Sequence, residues 1–203
     1  IGDSNILDGV MPCDGKVNFA GHEFECVDKG FAQNEAVDVV VRPEDIYIMH
    51  NTEAAQFTAI VKSCIFKGVH YEMYVDTDKG YELLIQDYNA FEVGSEVGLI
   101  IKPSDIQVMH KTSLFNEFEG EMTSPTSVRF IDAEFDCQDR GLEKGDKVLV
   151  RVDFDKVDLM DSDEDTEVSA HIRNILYKGD HYHLEVKTDE GFHLFVDTQD
   201  IWD

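Results

Sequence analysis

The chain has 203 residues, of which 42% are hydrophobic, enough to bury one or two cores. Its 43 acidic and 17 basic residues leave a net charge of −26. That balance excludes a phosphate backbone or an anionic membrane surface as partner, since both need clustered Lys and Arg, and leaves cations, amines and basic protein surfaces. Most of the charge is read as keeping the protein soluble. Cys13, Cys26, Cys64 and Cys137 show no CxxC spacing and no secreted disulfide framework, which fits a reducing compartment. With no run of about 18 apolar residues and no signal-like start, the chain reads as soluble and intracellular. Its start at Ile1-Gly2-Asp3, without an initiator Met, reads as a piece of a longer protein.

In chain order the predicted elements are short strands. Residues 37–41 form one, Arg42-Pro43-Glu44-Asp45 a turn and residues 46–49 another strand. His70-Tyr71-Glu72-Met73-Tyr74-Val75 alternates with the period of a half-buried strand. Asp78-Lys79-Gly80 then supplies a tight hairpin, with Gly at the positive-φ position. Residues 97–110 echo residues 37–50 as strand, Lys102-Pro103-Ser104-Asp105 turn and strand. From residue 118 the pattern starts again. Displaced by about 111 residues, the two halves align without a gap, with roughly 25 identities over roughly 92 pairs. Glu23-Phe24-Glu25-Cys26 answers Glu134-Phe135-Asp136-Cys137, and Phe66-Lys67-Gly68 answers Tyr177-Lys178-Gly179. Constant spacing predicts the same fold twice: a first module over residues 1–110, a linker over 111–117 and a second, diverged module over 118–203. The second module keeps the apolar skeleton of residues 37–49 as residues 148–160, but Asp153-Phe154-Asp155-Lys156 replaces the Arg-Pro turn, and no counterpart of residues 97–110 follows. Its missing strands are expected from the first module's closing segment or from a dimer partner, because an uncovered edge invites pairing. The acidic run Asp161-Ser162-Asp163-Glu164-Asp165-Thr166-Glu167 reads as a solvated loop.

No GxxxxGK[ST] loop, GxSxG elbow, HExxH helix or Cys/His cluster at metal spacing is present, so neither catalysis nor a bound metal is expected of this chain. His181 and His183 alternate on one strand, with His193 expected across the hairpin. The aromatic residues Phe66, Tyr71, Tyr74, Tyr81, Tyr177 and Tyr182 are read as core or cross-strand packing. The residues singled out for function are Arg42, Glu44 and Asp45, with Asp28 and Asp105 as further carboxylates. Pro43 fixes the turn and the Arg42 fork suits a carboxylate, which makes the turn an internal ion pair or a set of acceptors for an oligoamine or a basic surface.

Several segments resemble one family: Ile1-Gly2-Asp3-Ser4-Asn5-Ile6-Leu7-Asp8-Gly9, Val41-Arg42-Pro43-Glu44-Asp45-Ile46, Phe66-Lys67-Gly68, and Phe91-Glu92-Val93-Gly94-Ser95-Glu96-Val97 followed by Lys102-Pro103-Ser104-Asp105-Ile106. Their order and spacing are similar to the TOBE (transport-associated OB) domain that follows the ATPase domain of ABC importers, nearest to the spermidine/putrescine group. The resemblance implies all-β, tandem OB-like barrels forming a non-catalytic regulatory and dimerisation tail. It further implies a homodimer of the ATPase subunit, transmembrane importer subunits as partners, a cytoplasmic place at the inner membrane face and a polyamine as ligand, with ATP and magnesium bound by a nucleotide-binding domain outside this chain. The alternative is an OB-like barrel that binds a small oxyanion without an ATPase partner.

Overall fold

The computed structural model describes residues 3–162, 164 and 166–202. Ile1 and Gly2 of the opening segment, and Asp163 and Asp165 of the acidic run, lie outside the described residues. The fold is all-β, built as two small OB-like modules, and the chain divides into two compact units. Unit 1 comprises Ile1–Lys111 with Lys178–Asp180; unit 2 comprises Thr112–Tyr177 with His181–Asp203. Among the described residues no helix is long and apolar enough to cross a membrane.

Among its described residues unit 1 contains ten strands: β1 (Asn5–Cys13), β2 (Lys16–Phe19), β3 (His22–Glu25), β4 (Glu35–Val41), β5 (Ile46–Met49), β6 (Phe57–Phe66), β7 (Tyr71–Thr77), β8 (Glu82–Asp87), β9 (Glu96–Ile101) and β10 (Gln107–His110). They form two five-stranded sheets, β10-β4-β1-β2-β3 and β5-β9-β6-β7-β8. Alternation decides what each strand buries: along β4, Val37, Val39 and Val41 are at most 1% exposed, while the residues between them are half-buried. Gly80 takes φ +83° in the β7–β8 hairpin, a conformation its missing Cβ makes cheap. The aromatic pairs fall where strand pairing puts them: Phe66 faces Tyr71 with ring centres 5.1 Å apart. The same pair recurs in unit 2 as Tyr177 and Tyr182 at 4.9 Å.

The echo between residues 37–49 and 98–110 proves to be a pairing. Val40 faces Gln107 and Asp38 faces Met109 where β4 meets β10; Ile46 faces Ile101 and Met49 faces Gly98 where β5 meets β9. These are one antiparallel register, interrupted only by the two 3₁₀ turns Pro43–Asp45 and Pro103–Asp105. Each line crosses from one sheet to the other, so the two lines are related by a local pseudo-two-fold. Residues 96–110 therefore act as a closing arm. It buries Val97, Leu99, Ile101, Ile106 and Val108 at 8% exposure or less. The arm is consumed inside unit 1, which corrects the expectation that it completes the second module.

Unit 2 contains β11 (Asn116–Ser124), β12 (Ser127–Phe130), β13 (Ala133–Asp136), β14 (Lys147–Val152), β15 (Ala170–Tyr177), β16 (Tyr182–Thr188) and β17 (His193–Thr198). Asn116 and Glu117, read from sequence as linker, are the first residues of β11. The sheets are β13-β12-β11-β14 and β15-β16-β17, which match the β3-β2-β1-β4 and β6-β7-β8 parts of the two sheets of unit 1. A turn at Phe154–Lys156 stands in place of Pro43–Asp45. The residues that follow it, 157–160, have no strand partner and are not extended into a ladder.

In each unit one asparagine bridges strands from the two sheets. Asn5 donates its side-chain NH2 to the Leu84 carbonyl and accepts from the Leu84 N–H, both at 2.8 Å; Asn116 does the same with Phe195, also at 2.8 Å twice. Asn5 is 9% and Asn116 4% exposed, so these amides satisfy backbone groups that water cannot reach. Asn5→Ala is expected to destabilise the chain by about 2 kcal/mol, because two buried backbone groups lose their partners. Urea unfolding followed by circular dichroism checks this.

Candidate functional site

Four charged residues meet where the two crossing lines of unit 1 turn. Carrying the β4/β10 and β5/β9 register through the turns sets Arg42 opposite Asp105 and Asp45 opposite Lys102. Each turn is closed by its own backbone: the Asp45 N–H donates to the Arg42 carbonyl at 3.0 Å, and the Asp105 N–H to the Lys102 carbonyl at 2.9 Å. Pro43 is buried and pins the first turn, while Arg42 and Glu44 are exposed. Lys102 Nζ lies 2.8 Å from the Tyr47 hydroxyl and 4.7 Å from that ring's centre. Burial, Asp105 and Glu44 together push the Asp45 carboxyl above the usual carboxylate range, against the partial relief of Arg42 and Lys102. The junction thus holds a carboxylate that its own surroundings disfavour as an anion, and an added cation would relieve it.

Of the five residues singled out from sequence, four converge: Arg42, Glu44, Asp45 and Asp105. Asp28 does not. Its Oδ2 accepts the Val108 N–H at 3.2 Å and so tethers β10. Nor is the Arg42 turn held by an ion pair, since among the described residues no carboxylate lies within ion-pair distance of Arg42; proline and the backbone hydrogen bond hold it instead. The histidines also separate. His183 Nδ1 is 2.6 Å and His181 Nε2 3.7 Å from Asp197, whereas His193 faces Lys187 and pairs with Glu185 at 3.1 Å. Among the described residues no three His, Cys, Asp or Glu side chains converge as metal ligands.

A second charged cluster in unit 1 escaped the sequence. Asp8 on β1 faces Asp38 on β4, two like charges set directly across a strand pair. Lys111 Nζ answers both, at 2.5 and 2.9 Å, and Lys178 Nζ, only 5% exposed, at 3.1 and 2.6 Å. Burial alone would raise the Asp38 pKa, but hydrogen bonds from Lys178 and Lys111 outweigh it and hold the group below its ordinary value. Burial likewise works to lower that of Lys111, and hydrogen bonds to Asp8 and Asp38 outweigh it and hold it above the ordinary lysine value. The Asp38 contribution to stability is therefore present above the ordinary carboxylate pKa and lost as pH falls through the depressed folded value. That of Lys111 is complete below the ordinary lysine pKa and lost as pH rises through the raised one. Lys111→Met is expected to cost about 1–2 kcal/mol at pH 7 by chemical denaturation, less than a fully buried pair because the Asp8 side chain is 41% exposed. Beside this cluster lies an open cleft of about 720 Å³ lined by Asp8, Phe19, His22, Glu23, Tyr81 and Lys111 among others; none of the five predicted residues lines it.

The TOBE domain model matches residues 39–109, from the middle of β4 through the closing arm. Residues 39–109 belong to the TOBE domain family. The chain is 54% identical over its whole length to the spermidine/putrescine import ATP-binding protein PotA of Bacteroides thetaiotaomicron, and 53% to that of Bacteroides fragilis; in each case it spans 44% of the relative's length. The PotA of Acetivibrio thermocellus is 50% identical over 111 residues, 55% of this chain. The chain matches the C-terminal part of these ATP-binding proteins and not their ATPase domain. Among solved structures, the cytoplasmic molybdate-binding protein ModG, with molybdate bound, aligns over 55% of the chain at 17% identity and a TM-score of 0.48.

Proposed function

We propose that this TOBE region is the regulatory and dimerisation tail of a polyamine importer's ATPase subunit, and that its first module senses amine at the junction of the two crossing lines. The observation that carries the reading is the match, at 54% identity over the whole of this chain and 44% of the relative, to a spermidine/putrescine import ATP-binding protein. The junction supports the ligand class. Glu44, Asp45 and Asp105 offer spaced carboxylate acceptors, one of them already disfavoured as an anion, and an oligoamine needs several acceptors along its length. In the whole protein, two ATPase subunits pair through these tails and sit with the transmembrane importer subunits at the cytoplasmic face of the membrane. Amine bound at the junction alters the ATPase cycle to the extent that it favours one arrangement of the tail. ATP and magnesium belong to the nucleotide-binding domain of that larger protein.

Calorimetric titration of the chain with spermidine, putrescine, molybdate and sulfate tests the reading. Saturable amine binding with no anion binding is expected. Anion binding alone would replace it with the oxyanion-barrel alternative, and no binding at all would leave a contact module.

A further inference from the structure

We propose that Tyr47 is a positioning residue of the amine site: it holds the Lys102 ammonium off Asp45, and so leaves that carboxylate uncommitted for an incoming amine. The role rests on the reading that amine is sensed at the junction, and names the residue that keeps that site open. The geometry follows from the register. Ile46 and Ile101 face each other and are each 1% exposed, so their neighbours Tyr47 and Lys102 stand on the outer face of the sheet. Tyr47 faces Ile100. Lys102, two residues along the same face, is therefore its diagonal neighbour, while Asp45 stands directly opposite Lys102. Both are within reach of a lysine side chain, and a lysine opposite a carboxylate ordinarily pairs with it. Lys102 goes to the tyrosine instead. Its Nζ donates to the Tyr47 hydroxyl at 2.8 Å and lies 4.7 Å from the ring centre, within the range of cation–π attraction.

The consequence falls on Asp45. The hydrogen bond to Tyr47, ahead of the charges of Asp105 and Asp45, holds Lys102 above the ordinary lysine range. Asp45 in turn feels Arg42 and Lys102 through space only, with no hydrogen bond from either. The charged groups bearing on it are Arg42 and Glu44 from its own turn and Lys102 and Asp105 from the arm. Asp45 is also half-buried, and the two cations at that distance do not offset burial, Asp105 and Glu44. Without the Tyr47 hydroxyl, the acceptor that the register offers Lys102 is Asp45. An ion pair there would supply the positive charge that an amine is to supply, and an incoming ammonium would first have to displace a tethered one. Tyr47 thus sets how much amine the junction needs.

Tyr47→Phe, Lys102→Met and the double variant test this in the whole chain, by calorimetry with spermidine and by magnetic-resonance titration of Asp45. Tyr47 is 45% exposed and phenylalanine keeps its ring, so the fold tolerates the change. Tyr47→Phe is expected to lower the Asp45 pKa and to weaken spermidine about tenfold, the scale of one charge-assisted hydrogen bond that has to be broken first. Lys102→Met should raise the Asp45 pKa and bind spermidine at least as tightly as the native chain. With no lysine left to redirect, the double variant should recover the native affinity; loss of a direct contact between Tyr47 and the amine, or of support for the fold, would not be recovered in this way. An Asp45 pKa unchanged by Tyr47→Phe, or a double variant as weak as Tyr47→Phe alone, would each overturn the proposal. In both cases the amine-sensing reading stands so long as the native chain binds spermidine and Glu44→Gln with Asp45→Asn weakens it. A native chain that binds no spermidine removes the reading and the proposal together.

Discussion

Leu99→Ala should be among the most damaging single substitutions in the first module, costing about 3–4 kcal/mol. Leu99 is fully buried on β9 and faces Ile48 on one side and Phe57 on the other, so it knits β5 to β6. Truncation removes its transfer free energy and leaves a cavity among side chains that are themselves sealed, such as Ile101 and Val61. The same change at Val150 of unit 2 should cost about 1 kcal/mol or less, because that side chain is only half-buried and water already reaches its surroundings. Urea titration with hydrogen exchange read at β5, β6 and β9 for the first variant, and at β14 for the second, measures both. Equal costs would mean that the closing arm is not what seals the first module.

The second large effect is on binding. Glu44→Gln with Asp45→Asn should weaken spermidine about tenfold or more, the scale expected when a hydrogen bond to a charged group is lost. The same change should leave the fold at least as stable at neutral pH. The Asp45 carboxyl sits above its ordinary pKa because of burial, Asp105 and Glu44, so the folded chain holds that proton more tightly than the unfolded one. Stability then declines as pH rises from the ordinary carboxylate value through the raised folded one. Asparagine removes that decline, and its advantage over the native chain vanishes in acid. Thermal denaturation from pH 3 to 8 displays the crossover. A variant less stable than the native chain at pH 7 would show that Asp45 holds the turn instead of straining it.

Much of this architecture could be read before the structure. The gapless repeat carried the two-module organisation, because conserved loop lengths preserve the hairpins, and glycines such as Gly80 and Gly191, at φ +83° and +98°, mark equivalent turns. The echo between residues 37–49 and 97–109 was visible too, but not its meaning. A repeated line does not say that its copies pair with each other, and only their antiparallel register brings Arg42 to Asp105. For the same reason the Asp8–Asp38–Lys111 cluster stayed hidden: Asp8 and Asp38 meet through a strand pairing whose register local sequence does not encode. Asp28 misled because a carboxylate near the turn in sequence is spent on the β10 backbone. The lost Arg-Pro turn was legible in Asp153-Phe154-Asp155-Lys156, while the half-buried state of β14 emerges only against the sealed β4.

The most direct measurement is the titration of the Asp45 carboxyl by carbon-detected magnetic resonance, with and without spermidine. If the junction of unit 1 is where amine is sensed, Asp45 titrates above the ordinary carboxylate range in the free chain, and saturating spermidine draws its pKa down. An Asp45 pKa that spermidine leaves unchanged, while the amine still binds elsewhere on the chain, would contradict the account.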